Sequence, residues 1–551
     1  MTIYIEPGLV KSAATTALQS ACDARVSRLE RAPACSVRRV TLLLDPSRAR
    51  RIHHELAARL ERDMGVRVTI ARGPAQPAPP ASIDLLLDLE RLIYRLRGPR
   101  LGDRLALDQR MLAEPSSDDP SDLVVDLCGN APGDGKGRTF RLLYDGMAGE
   151  SVLIGALVAG RMPTIEIEDA RTGEVIARGV ACADNAQTIS DALECVLGRV
   201  ITLVISAARG WTMLAQERRS VPQAVTLRAI AAVELKQLAA SVVRRLYRLC
   251  FYNPHWRTCW RFIDGPDLWE TRSLSGTSWN VIPDPGFRFY ADPFPLVHEG
   301  KTYVFVEDFD HGTGKGIISV LPFDEHGPIG PPQPVLEEPW HLSYPFVFAH
   351  AGQVWMIPES SADKSIALYR ADPFPNRWIR EETLVSGMEA SDATVIRHGD
   401  YFWMFAATRD GAVSWSDALS IFSARDLRGP WKPYPLNPVL VDQAAARPAG
   451  AMFMRGGKLW RPVQDCTSGY GTGIGLAEVV HLDLEKFEQR LHGVIHADPH
   501  WPGRRFHTLN RAGRLECIDG SAYSPRSKRL ARSLEGWSGR CDPPPHWSRG
   551  P

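Results

Sequence analysis

Apolar and polar positions follow two different periods along this chain, and the change falls near its middle. In the first half, short apolar runs are followed by helical spacing. "RRVTLLLD" (Arg38 to Asp45) reads as a β-strand, and in "ARRIHHELAARLERDMG" Ile52, Leu56 and Leu60 fall on one helical face. "VRVTIAR" is the next strand, "SIDLLLDLERLIYRLRG" a second helix, and "SDLVVDLCGNAP" a third strand ending in a polar loop. "TFRLLYDG", a helix near 152–160, "TIEIED", "EVIARGVA" and a helix near 186–206 complete the pattern. Strands alternating with helices predict an α/β domain over 36–210, with a mostly parallel sheet covered on both faces. Ligands bind beyond the carboxyl ends of such strands, where Asp45, Asp126, Asn130 and Asp145 stand. Short polar residues also end strands because they make turns, and that reading is preferred. There is no GxGxxG and no GxxxxGK(S/T), so nucleotide binding has no motif behind it.

A connector, 211–264, follows. "VTLRAIAAVELKQLAASVVRRLYRLCF" predicts one long amphipathic helix with an apolar stripe of Leu227, Ile230, Leu235, Leu238, Val242, Leu246 and Leu249. Arg244, Arg245 and Arg248 make its last turns basic, which suits the negative helix end. A helix packed between two domains is the preferred reading; contact of 225–250 with a membrane surface is the other.

The second half repeats. "YADPFPLVHEGKTYVFVED", "SYPFVFAHAGQVWMIPES", "SDATVIRHGDYFWMFAAT", "RPAGAMFMRGGKLWRPVQD" and "RRFHTLNRAGRLECIDG" each read strand, tight glycine turn, strand. The turn glycines Gly300, Gly352, Gly399, Gly457 and Gly513 recur at roughly 50 residues, the length of a four-stranded propeller blade. Five units predict a five-bladed β-propeller over 265–525, with Tyr303, Trp355, Phe402 and Trp460 filling the space between blades. The pentapeptide ADPFP occurs twice. Aligning "IALYRADPFPNRWIREETL" with "LSIFSARDLRGPWKPYPL" places Asp372 and Trp378 where the next unit has Asp426 and Trp431. The second copy is therefore an outer-strand turn, whereas the first, at Asp292, begins a hairpin.

Antiparallel pairing sets Asp292 opposite Glu307, Tyr344 opposite Glu359, and Asp392 opposite Ala406. It sets 447–450 opposite Gln464 and Asp465, and His507 opposite Asp519. Propeller symmetry gathers these at one mouth of the central channel. Paired carboxylates around a pocket are what glycoside chemistry needs, one as acid and one as base or nucleophile. Crowding drives their pKa values apart. The bland alternative is that they cap strand ends.

Composition narrows the classes. At 551 residues the chain is too long for one core. A net charge of +1 gives no nucleic-acid footprint. Ten scattered cysteines without a CxxC pair argue against a zinc site and a disulfide framework, so no metal or cofactor is expected. No run is long enough for a transmembrane segment and the N-terminus lacks a signal pattern, so a cytoplasmic location is expected, with a polar, disordered tail over 526–551.

At "YADPF", "HLSYPFVF", "PES", "SDATV", "RPAG" and "QDC" the second half resembles the N-terminal domain of glucosamine inositolphosphorylceramide transferases, over roughly 269–524. That domain is in turn similar to the five-bladed propellers of arabinanases, levansucrases and invertases. The resemblance implies that Asp292 is base or nucleophile and Asp392 the orienting carboxylate. A fourth-blade Glu would be the acid; this chain offers Asp465 there, and Glu359 in the second blade. With the mouth as the site, a carbohydrate or glycoconjugate ligand is expected to contact Glu307, Tyr344, Arg447, His507 and Asp519, with Arg447 holding an anionic group and His507 binding hydroxyls. More weakly, 38–207 resembles the Rossmann-like N-terminal domain of formyltransferases, but "LLYDGMAGE" lacks the histidine of their reaction centre. Three readings stay open: a glycosyl hydrolase or transferase, a non-catalytic carbohydrate-recognition module, and formyl or acyl transfer to an amino-sugar by the first domain.

Overall fold

Val40, Leu42 and Leu44 alternate with solvent-facing neighbours along Arg39–Leu44, and their side chains begin the core of the N-terminal half. The computed structural model describes residues 26–31, 37–76, 82–105, 121–130, 137–217, 226–275, 278–411, 413–497, 501 and 504–527. The expected absence of a leader and nearly all of the expected tail lie outside these residues. Strands β1 (Val26–Arg31), β2 (Arg39–Leu44), β3 (Arg67–Arg72), β4 (Leu123–Asp126), β5 (Arg138–Tyr144), β6 (Thr164–Asp169), β7 (Val175–Val180) and β8 (Trp211–Leu214) build one sheet. Helices α1 (Arg51–Met64), α2 (Ser82–Ile93), α3 (Glu150–Val158) and α4 (Ile189–Ala208) accompany it, with Ile52, Leu56 and Leu60 of α1 buried as their spacing requires.

The sheet is not doubly wound. Its order is β1-β8-β7-β6-β5-β4-β2-β3, and only β3, β2, β4 and β5 form a continuous parallel run. β5 and β6 pair antiparallel, as do β6 and β7. For β6 and β7 the reason is connection length: residues 170–174 between them make a tight turn closed by Asp169 N–H donating to Glu174 O at 2.9 Å, too short for the crossover that parallel strands need. The Rossmann-like, formyltransferase-like expectation is therefore not supported. The boundary at 210 also shifts, because Trp211–Leu214 lies inside the sheet between β1 and β7.

The connector helix forms as α5, Leu227–Cys250, capped by the Thr226 hydroxyl accepting from Ala229 N–H. It is not sandwiched between domains. Ile230 is its one buried residue, while Leu227, Leu235, Leu238, Val242, Leu246 and Leu249 of the expected stripe are exposed.

After the helix the strands run in antiparallel groups. Arg288–His298, Lys301–Asp310 and Lys315–Asp324 start the first group; Ser343–His350 to Trp378–Ser386 form the second, and Glu389–His398 to Lys432–Pro433 the third. Phe453–Arg455 to Lys486–His496 form the next. The last joins Leu509–Ala512 and Leu515–Ser521 to Trp256–Phe262 and Asn280–Val281, so strands from before the first group close the circle. The expected start at 265 thus moves back. Four of these groups are free-standing sheets. The Phe453–His496 group is instead one end of a 13-stranded sheet, because Lys486–His496 pairs with β1. The arrangement is propeller-like, with four separate blades where five were expected.

Repetition is visible in detail. The hairpin turns Glu299–Gly300 (φ 49° and 74°) and Ala351–Gly352 (φ 49° and 74°) place both central residues in the left-handed region that such turns demand. Trp355, Trp403 and Trp460 each donate their indole N–H across the turn to the carbonyl five residues back, at 3.1, 3.1 and 3.2 Å. Hydrogen bonds near the axis run from group to group. Asp292 accepts from Tyr344 N–H, the Tyr344 hydroxyl meets Thr394, Gly450 N–H donates to the same hydroxyl, Ala451 N–H donates to the Asn510 side chain, and Asn510 donates to Pro293 O.

Candidate functional site

The first ADPFP is built as a β-bulge. Ala291 pairs with Glu307 and Phe294 with Phe305, leaving Asp292 and Pro293 outside the ladder. The second and third groups repeat this between Ser343 and Phe346 and between Ser391 and Thr394. Asp292, Tyr344 and Asp392, the residue after the break each time, have φ of 48°, 42° and 56°. A bulge re-aims its side chain, and here three of them point toward the axis. The bulge also corrects the expected register by one: Ala291, not Asp292, faces Glu307, and Ser343, not Tyr344, faces Glu359. The second ADPFP is an exposed turn, with Asp372 N–H donating to Arg377 O at 2.8 Å.

Asp292, His507 and Asp519 form a buried charge sandwich. His507 Nε2 lies 3.1 Å from Asp292 Oδ1 and Nδ1 lies 3.1 Å from Asp519 Oδ2. Thr508 donates its hydroxyl to Asp292 at 2.6 Å, and the backbone N–H groups of His507 and Thr508 donate to Asp519 at 2.8 and 3.1 Å. Burial alone would strip the proton from His507, but Asp519 and Asp292 on either side hold its pKa up at about 10. Burial pushes Asp292 upward, yet His507, Thr508 and Tyr344 N–H outweigh it and keep the carboxyl below its ordinary range. These three residues also place one ligand atom each within 4.8 Å of one another, the one such metal-sized group among the described residues. Each ring nitrogen faces a different carboxylate, so a single imidazolium charge is shared between Asp292 and Asp519.

Asp392 is the second centre. Arg447 Nε donates to its Oδ2 at 2.6 Å and the Gln464 amide at 3.2 Å. Burial raises Asp392 to about 7, opposed by Arg447 and assisted by Glu359 and Asp292. Arg447 is itself buried, reaches Ser416 Oγ at 3.4 Å, and stacks 4.8 Å from the Tyr470 ring centroid. Tyr470 and Trp256 enclose the His507 ring at centroid distances of 4.9 and 4.4 Å.

Several expected roles change with this geometry. Arg447 gives its Nε to Asp392 and an Nη to Ser416, so part of its donor set is engaged within the protein. Tyr344 is wholly buried and its hydroxyl is engaged by Thr394 and Gly450 N–H at 3.1 and 2.8 Å, so it offers no hydroxyl to a ligand. His507 and Asp519 neutralise rather than line an opening. Asp465 turns into its own loop, accepting from Thr467 N–H at 3.0 Å, and Gln464 takes the place beside Asp392. Glu307 and Glu359 remain near the centre. Burial, then Asp292 and Glu359, push Glu307 well above the usual carboxylate range. Half-exposed Glu359 accepts from Ser361 at 2.9 Å, and His341 Nε2 lies 3.5 Å from Glu307. Thr508, Tyr470 and Trp256 were missed, and Gln464 was placed opposite 447–450 but given no role. Trp256 had no sequence signal, since only ring closure brings it there.

A separate cavity of about 60 Å³ lies at the carboxyl ends of β2 and β4, lined by Asp45, Arg50, His53, Gln76, Tyr144 and Glu150 among others. Its charges are internally satisfied: Arg50 donates to Glu150 Oε1 at 2.5 Å and to Gly102 O at 2.6 Å. Asp45 accepts from Ser47 N–H and Gln76 N–H, and Asp126 from Cys128 N–H, which is turn chemistry.

Comparison with known proteins places the second half. The chain is 30% identical over 267 residues to glucosamine inositolphosphorylceramide transferase 1 of Oryza sativa subsp. japonica, covering 46% of this chain and 36% of the relative. It is 32% identical over 206 residues to the protein of that name from Arabidopsis thaliana, covering 37% and 27%. The chain thus spans about a third of the length of these curated relatives. Among solved structures, Bacteroides ovatus xyloglucan PUL GH43B aligns at TM-score 0.30 and 17% identity over 41% of this chain and 51% of that one. CoXyl43, a GH43 β-xylosidase/α-arabinofuranosidase from a compost microbial metagenome in complex with xylotriose, aligns at 0.32 and 17% over 41% and 82%. The propeller assignment rests on the strand pairing described above rather than on these likenesses. Nothing in these matches supports the formyltransferase likeness. Residues 280–517 match the family of glucosamine inositolphosphorylceramide transferase 1, N-terminal, and that match lies wholly in the repeated β-half.

Proposed function

We propose that the propeller mouth is a glycoconjugate-binding site whose central carboxylates are fixed structural charges rather than the acid and base of a hydrolase. One observation carries this reading. The position beside Asp392, where fourth-blade acid chemistry was expected, holds the amide of Gln464, which has no proton to give at neutral pH. Asp292 and Asp392 are each tied to a buried cation, so neither is poised as a free base. Glu359 and Tyr470, both half-exposed, are the groups left to meet a sugar by hydrogen bonding and ring stacking. The ligand class follows from the relatives, which are named for a glucosamine-bearing inositol phosphate lipid.

A glycan screen of the full chain by calorimetry, including glucosaminyl-inositol phosphates, tests this. Tyr470→Ala and Glu359→Gln are expected to weaken binding about tenfold or more, with no product formed from any bound glycan. Binding unchanged in both variants excludes this mouth. A second reading, glycosyl transfer or hydrolysis, is favoured by Glu307, whose raised pKa suits a proton donor. Product that appears with the wild type and vanishes in Glu307→Gln would establish it instead.

A further inference from the structure

α5 combines an uncovered apolar stripe with a one-sided charge. Leu235, Leu238, Val242, Leu246 and Leu249 succeed one another at three- and four-residue steps and are between 49% and 74% exposed. Over the same helix Arg228, Lys236, Arg244, Arg245 and Arg248 stand against a single acid, Glu234. The whole chain carries a net charge of only +1, so this basicity is local. The stripe runs for about 21 Å at the rise of an α-helix. Its C-terminal end is extended by the body of the protein. Phe251–Tyr252 pairs with Ser524–Pro525, which brings Tyr523, 63% exposed, beside the last turn. Arg526 N–H donates to Cys250 O at 2.8 Å, and its guanidinium lies 4.6 Å from the Tyr252 ring centroid. Among the described residues nothing packs on the stripe.

We propose that α5 lies on an anionic lipid bilayer, its leucines in the boundary between headgroups and acyl chains and its arginines on the phosphates. Two features select this occupant. A basic helix with leucines on one face and an aromatic residue at its end matches the interfacial class, which binds by apolar burial and by attraction to anionic lipid. A second copy of α5 is disfavoured by charge, because joining two stripes sets five cations against five with one acid per helix to relieve them. The helix does not span: among the described residues no helix is long and apolar enough to cross a membrane. The inference is independent of what the propeller binds.

Flotation of the full chain with vesicles tests it, using phosphatidylcholine alone and phosphatidylcholine mixed with phosphatidylserine, neither containing sugar. The wild type is expected to float with the anionic vesicles and not with the neutral ones. The triple variant Arg244→Gln, Arg245→Gln, Arg248→Gln should lose about a hundredfold in partitioning, at roughly a factor of five per arginine. Leu246→Gln with Leu249→Gln should lose binding comparably while melting as the wild type does, both side chains being exposed. Absence of flotation, equal flotation with neutral vesicles, or unchanged flotation in the variants overturns the proposal. So does a wild-type dimer that the leucine variant converts to monomer, since the stripe would then be covered by a second copy.

Discussion

A single imidazole decides how the centre of the propeller responds to pH. His507 has a folded pKa of about 10 against an ordinary 6.5, so its charge stabilises the fold in full below about pH 6.5 and that contribution drains away as pH rises toward 10. Asp292 works in the opposite sense: held below its ordinary range, it contributes above that range and loses its contribution as pH falls through it. The urea midpoint of the wild type should therefore decline between pH 7 and pH 10. In His507→Gln the midpoint should start lower, by about 3–5 kcal/mol of stability, because two buried carboxylates lose their cation, and its alkaline slope should be smaller. An identical slope in both proteins would remove His507 from this role. At this scale the sequence was partly legible. It named Asp292, Asp392, His507 and Asp519 as neighbours because strand counting converges on one end of each hairpin. It gave no sign that Arg447 meets Asp392 or that Asp465 turns into its own loop, because residue type does not reveal which partner a side chain has already met.

The β-bulge is the element that the sequence concealed. Alternation along "FYADPF" and "ASDATV" gives no warning that two residues leave the ladder, since Asp is at home in a turn as well as in a bulge. The consequence is a one-residue error in two of the cross-strand pairs, Asp292 with Glu307 and Tyr344 with Glu359. The bulges also bind the groups together through Tyr344, whose hydroxyl serves Thr394 and Gly450 N–H at once. Tyr344→Phe should cost about 1–3 kcal/mol, since it leaves a buried backbone donor unpaired with no change of shape. Chemical denaturation measures it; a loss below a few tenths would mean that the two partners find each other. Asp392→Asn should be borne by the backbone, because Asn accepts the left-handed conformation as Asp does, whereas Asp392→Val should add about 1–3 kcal/mol of strain beyond the lost ion pair. Equal stability of the two variants would show that φ is not the constraint.

At the scale of the whole molecule, the strand–helix alternation and the fivefold glycine spacing were both readable, because each is a local period. Sheet direction and the meeting of the halves were not, since they depend on contacts hundreds of residues apart. Arg199 of α4 donates to Asp417 at 2.5 Å, Cys182 N–H donates to the same carboxylate at 2.7 Å, and Asp184 accepts from Ser414 and Ser416 at 2.7 and 2.6 Å. Ser416 in turn meets Arg447, so the α/β half reaches the second charge centre through two hydrogen bonds. Arg199→Ala should destabilise by about 3–5 kcal/mol by stranding buried Asp417. It should also separate two transitions that coincide in the wild type: loss of helical circular dichroism, and loss of the tryptophan signal carried mainly by the β-half. If the two stay coincident, the halves are held by something other than this junction.

The pairing of β1 with Lys486–His496 protects an edge. That strand ends its group, and a bare strand edge invites pairing with any passing chain. Here the foreign half supplies the guard, in register from Val26 opposite Arg490 to Glu30 opposite Lys486. With Val26–Arg31 in place, the outer edge of Lys486–His496 is closed to any other strand.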